Sequence, residues 1–374
     1  MNDLTEAKVK NLRPTYALIN LKNFEHNVAL AKKYSRSDII AIVKADAYGH
    51  GVNRVASHAY KYCGVRDFGV ATISEGITLR EAIKDNSARI IVLGYVEPTF
   101  YDYVCDNNLQ LTIFDNESAD TFHRYLNAAG RSANVVIKID TGMGRLGFEP
   151  SLNLYEFTEK YPSFKIDHVM SHLASSDDDP AYTSYQEGVF REFISKYSSI
   201  GFSTSLYNSS AIAGYSNGFS HTRPGLFLYG YVNGSAKIPL KPVMGIFSKI
   251  IHIHKLPKGG SVSYGRRFIA PCDCVIGVVP IGYADGYSRL LTNRGVMYVE
   301  GIRCPVVGSV CMDMTMLDLS AIGESAYGKD VEALGSHIDA TEIASAAGTI
   351  EYEFMCGISD RIPRIYDCTD RRSE

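Results

Sequence analysis

The sequence predicts an eightfold β/α barrel, the (β/α)8 or TIM-barrel class of α/β fold, followed by a C-terminal all-β domain. Three observations carry that prediction. Between Asp38 and Gly230, eight short β-rich runs alternate with longer amphipathic stretches, the pattern of parallel strands joined by helices. Polar and ionisable residues gather just past the ends of those runs. After Met244 the texture changes to β-rich runs broken by Gly and Pro turns.

Taken in order, the runs are IIAIVK ending at Lys44, FGVAT at Thr72, RIIVLG at Gly94 and LQLTIF at Phe114. They continue with NVVIKID ending at Asp140, IDHVMSH at His172, STSLYN at Asn208 and HTRPGLFLYG at Gly230. Eight units in about 190 residues make a somewhat small barrel. A doubly wound open sheet is the alternative that periodicity alone leaves open. The second domain carries GIFSKIIHIHKL, CVIGVVPIGY, GVMYVEGIRCPVV and TMLDLS, with a short helix over Ile338–Ala347 as a decoration. The expected organisation is an N-terminal linker or extension over 1–13, a barrel over 14–244 and a β-domain over 245–374.

Composition narrows the function. A chain of 374 residues with 45% hydrophobic and 21% charged residues is an ordinary globular protein with room for a large core. Its formal charge of −3 offers no field for nucleic acid or anionic lipid, so the expected partners are small molecules or other subunits. The eight cysteines are irregularly spaced and lack paired CxxC knuckles, which argues for reduced thiols, no metal site and a reducing, cytoplasmic compartment. No apolar run approaches the roughly 20 residues of a membrane span, and the polar opening is not a signal peptide. The charged opening also suits a linker, which would make the chain the cytoplasmic domain of a longer membrane protein.

The strand-end residues are Lys44 with Tyr48, Arg145, His172, Asn208 with Ser209, and Arg223. In a barrel those ends form one mouth, so residues far apart in sequence converge there. Lys44 closes an apolar strand, where partial desolvation favours the neutral amine that forms Schiff bases. Alone, Lys44 would more often be a solvated strand-end lysine, and Arg223 in TRPG an ordinary surface turn. The same holds for His172 as a satisfied strand-end histidine and Ser209 as a cap.

The neighbourhood of Lys44, VKADAYGHG, resembles the cofactor-lysine signature of the alanine racemase family. The resemblance continues in order through KIDTGMGRLGF, SHLAS, NSSA, TRPGLFLYG, VSYGRRF, IGYADGYSR, GSVCMDM and ISDRIPRIY, nearly the whole chain. It implies a barrel plus β-domain, a head-to-tail homodimer with shared sites, and pyridoxal 5'-phosphate as cofactor on Lys44. By family position Ser209, the Gly225 and Leu226 amides and the Tyr48 hydroxyl hold the phosphate, with Ser210 a rival to Ser209. Arg223 faces the pyridine nitrogen; a guanidinium can only donate, so it cannot hand over a proton as a carboxylic acid would.

Racemisation needs an acid/base group on each face of the α-carbon. The resemblance assigns Lys44 to one face and Tyr264, from the neighbouring subunit, to the other. A phenol must be tuned toward phenolate for this work, and His172 is the family histidine linking Tyr264 to Arg223. Arg145 holds Tyr264 and the substrate carboxylate, while Lys138 matches a lysine that is carbamylated in many relatives. Met312, through its amide, and Asp313 match the partner-subunit substrate contact, and Tyr283 matches the entrance lining.

Two other readings compete. A decarboxylase of the same fold group has different β-domain motifs and no need of an opposite-face tyrosine; a non-catalytic cofactor-binding barrel lacks a β-domain. Substrate choice turns on Asp360 in ISDRIPR, where alanine racemases carry a tyrosine. The racemase domains of membrane-bound vancomycin-resistance serine racemases also replace that tyrosine with a small polar residue. The resemblance therefore implies a serine racemase domain with residual alanine activity, similar to those resistance-linked domains, with Asp360 beside the substrate and a strict alanine racemase as the alternative.

Overall fold

The computed structural model describes residues 13–215, 218–233 and 237–368, so most of the expected N-terminal extension lies outside the described residues. The chain divides into two compact units. One comprises Asn23–Ala47 and Val52–Lys241; the other comprises the described parts of Met1–Lys22, Tyr48–Gly51 and Pro242–Glu374.

Strand β1 (Tyr16–Asn20) comes first among the described residues, and eight strands then close a parallel barrel: β2 (Asp38–Ile42), β3 (Asp67–Val70), β4 (Arg89–Val92), β5 (Leu109–Ile113), β6 (Ala133–Lys138), β7 (Phe164–Met170), β8 (Ser203–Ser205) and β9 (His221–Thr222). Closure excludes the open-sheet alternative: β9 pairs with β2 through Asp38↔His221 and Ile39↔Thr222. All of β5 and the last three or four residues of β2, β3, β4 and β6 are buried, because one face looks into the barrel and the other is covered by helices. The helix Val52–Tyr62 buries Val52, Val55, Ala56 and Ala59, one stripe at helical spacing. Asn116–Ala128 is started by Asp115, whose carboxylate accepts from the Ser118 amide at 2.7 Å.

In β7 the register to β6 shifts between Val135↔Ile166 and Val136↔His168, leaving Asp167 as the extra residue of a β-bulge. The eighth predicted run is shorter than its apolar length indicated. Only His221–Thr222 is strand, and Leu226–Tyr229 forms a fully buried 3-10 turn, because Pro224 has no amide to continue a ladder.

The second unit holds a six-stranded sheet in the order Ile302–Pro305, Val296–Val299, Asp330–Leu334, Met244–Lys249, β1 and Arg364–Asp367. A three-stranded sheet of His252–Leu256, Cys274–Val279 and Thr315–Asp318 accompanies it. The expected barrel limit of residue 14 is therefore corrected: β1 pairs antiparallel with Met244–Lys249 and parallel with Arg364–Asp367, a sequence separation no local pattern reveals. Tyr48–Gly51 also belong to this unit. A Cβ on Gly49 would sit 2.2 Å from the Met355 carbonyl oxygen and one on Gly51 1.8 Å from the Tyr366 hydroxyl, so both glycines are close-approach positions. All eight cysteines are free, and among the described residues no helix is long and apolar enough to cross a membrane.

Candidate active site

Lys44 follows β2 and begins a segment whose backbone is left-handed. Ala45, Asp46, Ala47 and Tyr48 have φ of 51°, 53°, 54° and 55°. Four consecutive L-residues in this region cost roughly 1–2 kcal/mol each, and such strain persists only where neighbours hold it. The Ala47 amide donates to the Val43 carbonyl at 2.9 Å, and the Val52 amide to Asp46 Oδ1 at 2.7 Å. The third brace is Glu75, whose Oε1 accepts from the Ala45 amide at 2.7 Å while Oε2 accepts from Ala71 at 2.7 Å. Glu75 is also the reciprocal partner of the Thr72 helix cap. Sequence reasoning missed Glu75, although Thr-x-x-Glu is a readable capping signature.

The loop after β6 is organised by Asp140. Its Oδ1 accepts from the Gly142 and Met143 amides at 2.9 and 2.7 Å, and its Oδ2 from the Gly144 and Arg145 amides at 2.8 and 3.2 Å. Burial works against the charge, but the four amides outweigh it and hold the carboxyl below its usual range. The exposed Arg145 is thereby fixed at the rim by a residue that is spent on backbone. Lys138, on the same strand, is buried; burial first, then the charges of Arg223, Arg145 and Lys44, pull it down to about 7.

Arg223 is 6% exposed, and its hydrogen-bond partners among the described residues are neutral. One terminal nitrogen donates to Ser205 Oγ; the other donates to the Ser171 carbonyl, the Leu206 carbonyl at 3.2 Å and His172 Nδ1 at 3.3 Å. Burial lowers it to about 10, so it remains a cation at neutral pH. Because Arg223 only donates, His172 Nδ1 must accept. Burial and the surrounding cations push the imidazole well below its usual range, so its single proton sits on Nε2, free to donate onward.

Ser209 is buried, and its Oγ accepts from the Gly225 and Phe227 amides at 3.0 and 3.2 Å. That contact distinguishes it from Ser210. The Gly225 amide is thus committed to Ser209, leaving the Ser209 proton and the Leu226 amide as donors for an anion. Asn208 caps the segment after β8, its Oδ1 accepting from the Ala211 amide at 3.1 Å and from Ser176 Oγ at 2.9 Å. The barrel unit thus brings Lys44, Arg145 and Arg223 close enough for their charges to bear on both Lys138 and His172.

The other predicted residues lie in the second unit. Tyr48 is buried against Tyr352, with ring centroids 5.8 Å apart, and burial pushes its phenol up. Tyr264 is 73% exposed, on a turn fixed by the Ser309 hydroxyl donating to its carbonyl at 2.8 Å. Met312 and Tyr283 are also exposed, and Tyr283 donates its amide to the Cys311 carbonyl at 3.0 Å. Asp313 pairs with Arg361 at 2.7 Å. Asp360 is fully exposed and lies 3.9 Å from Arg364.

The alanine racemase N-terminal domain family matches residues 19–233, and the C-terminal domain family matches residues 243–366. The chain belongs to the alanine racemase family. An alanine racemase of Clostridium novyi is 37% identical over 375 residues, covering 96% of each chain. The solved alanine racemase of Clostridium difficile 630 superposes with a TM-score of 0.89 at 31% identity, covering 96% of each chain. That of Bartonella henselae, solved with covalently bound pyridoxal phosphate, gives a TM-score of 0.87 at 26% identity and covers 95% of this chain and 99% of its own. The names of these relatives do not carry the serine specialisation expected from Asp360.

Proposed function

We propose that this chain is a pyridoxal-phosphate-dependent racemase that interconverts L- and D-alanine, working as a homodimer with shared sites. The observation that carries the reading is Arg223, a buried cation with donor-only chemistry that, among the described residues, is held by neutral acceptors. Pyridoxal phosphate, when bound, supplies an electron-withdrawing ring that acidifies the α-proton of an attached amino acid. Facing such a ring, Arg223 bonds its nitrogen without protonating it, which tempers electron withdrawal and favours return of the proton over side reactions. The residues fit the group: Lys44 supplies the amine, and the Ser209 hydroxyl with the Leu226 amide supplies donors for a phosphate. The surplus of cations around them suits an anionic ligand.

Lys44 exchanges the proton on one face of the substrate α-carbon and Tyr264 of a second copy exchanges it on the other. The Nε2–H of His172 is the donor that favours phenolate on the Tyr264 of the second copy. Arg145 takes the substrate carboxylate, supported by the Met312 amide of the second copy. The test mixes Lys44→Ala with Tyr264→Phe subunits. Each parent is inactive, and random exchange gives half heterodimers with one intact site of two, about a quarter of wild-type alanine racemisation. Recovery of no activity would overturn the shared site.

Serine is the second reading, favoured by Asp360 alone. Full exposure and the Arg364 pairing speak for a carboxylate that faces solvent. If Asp360 bonds a substrate hydroxyl, Asp360→Tyr lowers kcat/KM for serine relative to alanine at least ~10-fold. An unchanged ratio leaves alanine as the substrate.

A further inference from the structure

Beneath Arg223 a hydrogen-bonded column runs through the interior of the barrel. Arg223 donates to Ser205 Oγ. Ser205 Oγ lies 2.6 Å from His168 Nε2, and His168 Nδ1 lies 2.6 Å from Ser203 Oγ. Ser203 in turn donates to the Asp167 carbonyl at 3.0 Å and accepts from Arg89 at 3.2 Å. Arg89 is held on the floor by Asp67 and Asp167, each at 2.9 Å, and by His221 at 3.0 Å.

The two ends fix every proton between them. Arg223 can only donate and a carbonyl can only accept. Ser205 therefore accepts from Arg223 and gives its own proton to His168 Nε2. His168 carries its proton on Nδ1 and gives it to Ser203, which gives its proton to the Asp167 carbonyl. This direction requires a neutral imidazole. His168 is fully buried, and burial with the Arg89, His221 and Arg223 charges holds it well below the usual range. The bulge at Asp167 makes the column possible, because it lets two successive residues of β7 both engage partners inside the barrel.

We propose that Ser205 and His168 are positioning residues for the racemase reaction: together they hold the Arg223 guanidinium in one orientation through neutral acceptors, leaving its full charge for the ligand above. The inference rests on the reading that Arg223 faces the cofactor ring. A carboxylate beneath Arg223 would anchor it equally well but would neutralise it; a hydroxyl backed by a neutral imidazole anchors it and does not.

The variants are Ser205→Ala, His168→Asn, His168→Gln and, as reference, Arg223→Gln, each read by the visible spectrum of the cofactor-loaded enzyme without substrate, by kcat and KM separately, and by thermal unfolding. Glutamine places an acceptor near the Nε2 position and keeps the Ser205 contact; asparagine reaches only the Nδ1 side. Ser205→Ala and His168→Asn are expected to change the absorption spectrum in the direction seen for Arg223→Gln and to lower kcat roughly 10-fold. KM should move less than about 2-fold, and His168→Gln should retain both the spectrum and most of kcat. A spectrum and kcat that stay at wild type in Ser205→Ala, with only the melting temperature lowered, overturn the inference and leave the column structural. Loss of kcat in His168→Gln equal to that in His168→Asn also overturns it. If Arg223→Gln itself leaves the spectrum unchanged, it is the placement of Arg223 against the ring that fails.

Discussion

Lys138 offers the sharpest quantitative test, because its charge is the worst supported in the barrel mouth. Its amine falls from 10.5 to about 7 on folding, through burial and then three neighbouring cations. That gap of roughly 3.5 pH units, at about 1.4 kcal/mol each, makes the protonated folded form about 5 kcal/mol less favourable. The full penalty applies below pH 7, where folded and unfolded chains both hold the proton. Between pH 7 and 10.5 the unfolded chain keeps a proton that the folded chain has released, so stability rises with pH by up to about 1.4 kcal/mol per unit. Above pH 10.5 the contribution vanishes.

Lys138→Met keeps the length and removes the charge. The variant should be more stable than the wild type by about 4 kcal/mol at pH 7, narrowing to about 2 kcal/mol at pH 9. Urea denaturation of cofactor-free protein in carbonate-depleted buffer from pH 6.5 to 9.5 measures this. A stability difference that does not narrow with pH refutes the buried-cation argument. The same chemistry tests carbamylation: at pH 7 a lysine titrating near 7 is about half neutral, roughly 1000-fold more than one titrating near 10.5. Added bicarbonate should therefore stabilise the wild type and leave Lys138→Met unchanged.

Two further predictions follow from the braces around the site. Asp140→Asn keeps one oxygen for two of the four amides and turns its NH2 on the others, so it should cost about 2 kcal/mol in denaturant melts and lower alanine kcat/KM more than ~10-fold as Arg145 loses its place; unchanged kinetics would detach the loop from function. Ala45→Gly relieves left-handed strain at an exposed position with φ of 51°, and should raise stability by roughly 0.5–1 kcal/mol, provided the turn is strained as its dihedrals indicate; a loss of stability would count against that strain.

What the sequence made legible follows its local physics. Barrel strands buried on both faces appear as apolar runs, and seven of the eight predicted run ends fall within three residues of the observed strand ends. The exception, LFLYG, is as apolar as a strand, and only Pro224 marks the change. β1 could not be assigned, since its partners Met244–Lys249 and Arg364–Asp367 lie more than two hundred residues away. Motifs named Lys44, His172 and Arg223, but not the residues that hold them. Asp140 was visible beside the glycine-rich TGMG, where a carboxylate before small residues signals an amide nest. The left-handed turn was not, because Lys-Ala-Asp-Ala contains no glycine to signal positive φ. His168 was hidden for another reason: a single bulge reverses which residues of β7 face inward, and period-two counting fails beyond it.

The charges of the barrel mouth explain why its cations are tolerated at all. The charges of Lys44, Arg145 and Arg223 all bear on Lys138, and the Asp140 carboxylate accepts from four backbone amides. Such a cluster is costly in an empty barrel and favourable around anions. A phosphate near −2 and a substrate carboxylate would balance three of the four charges. Lys138 is then the surplus, buried and already near neutrality. A carbamate there would replace a repelled cation by an anion facing Arg145. The cluster is thus arranged for ligands that arrive negatively charged, and the stability lost in holding it should reappear as binding energy. Addition of pyridoxal phosphate should raise the melting temperature of wild type more than that of Arg223→Gln. Equal gains in the two proteins would mean that the buried arginine contributes nothing to holding the anion.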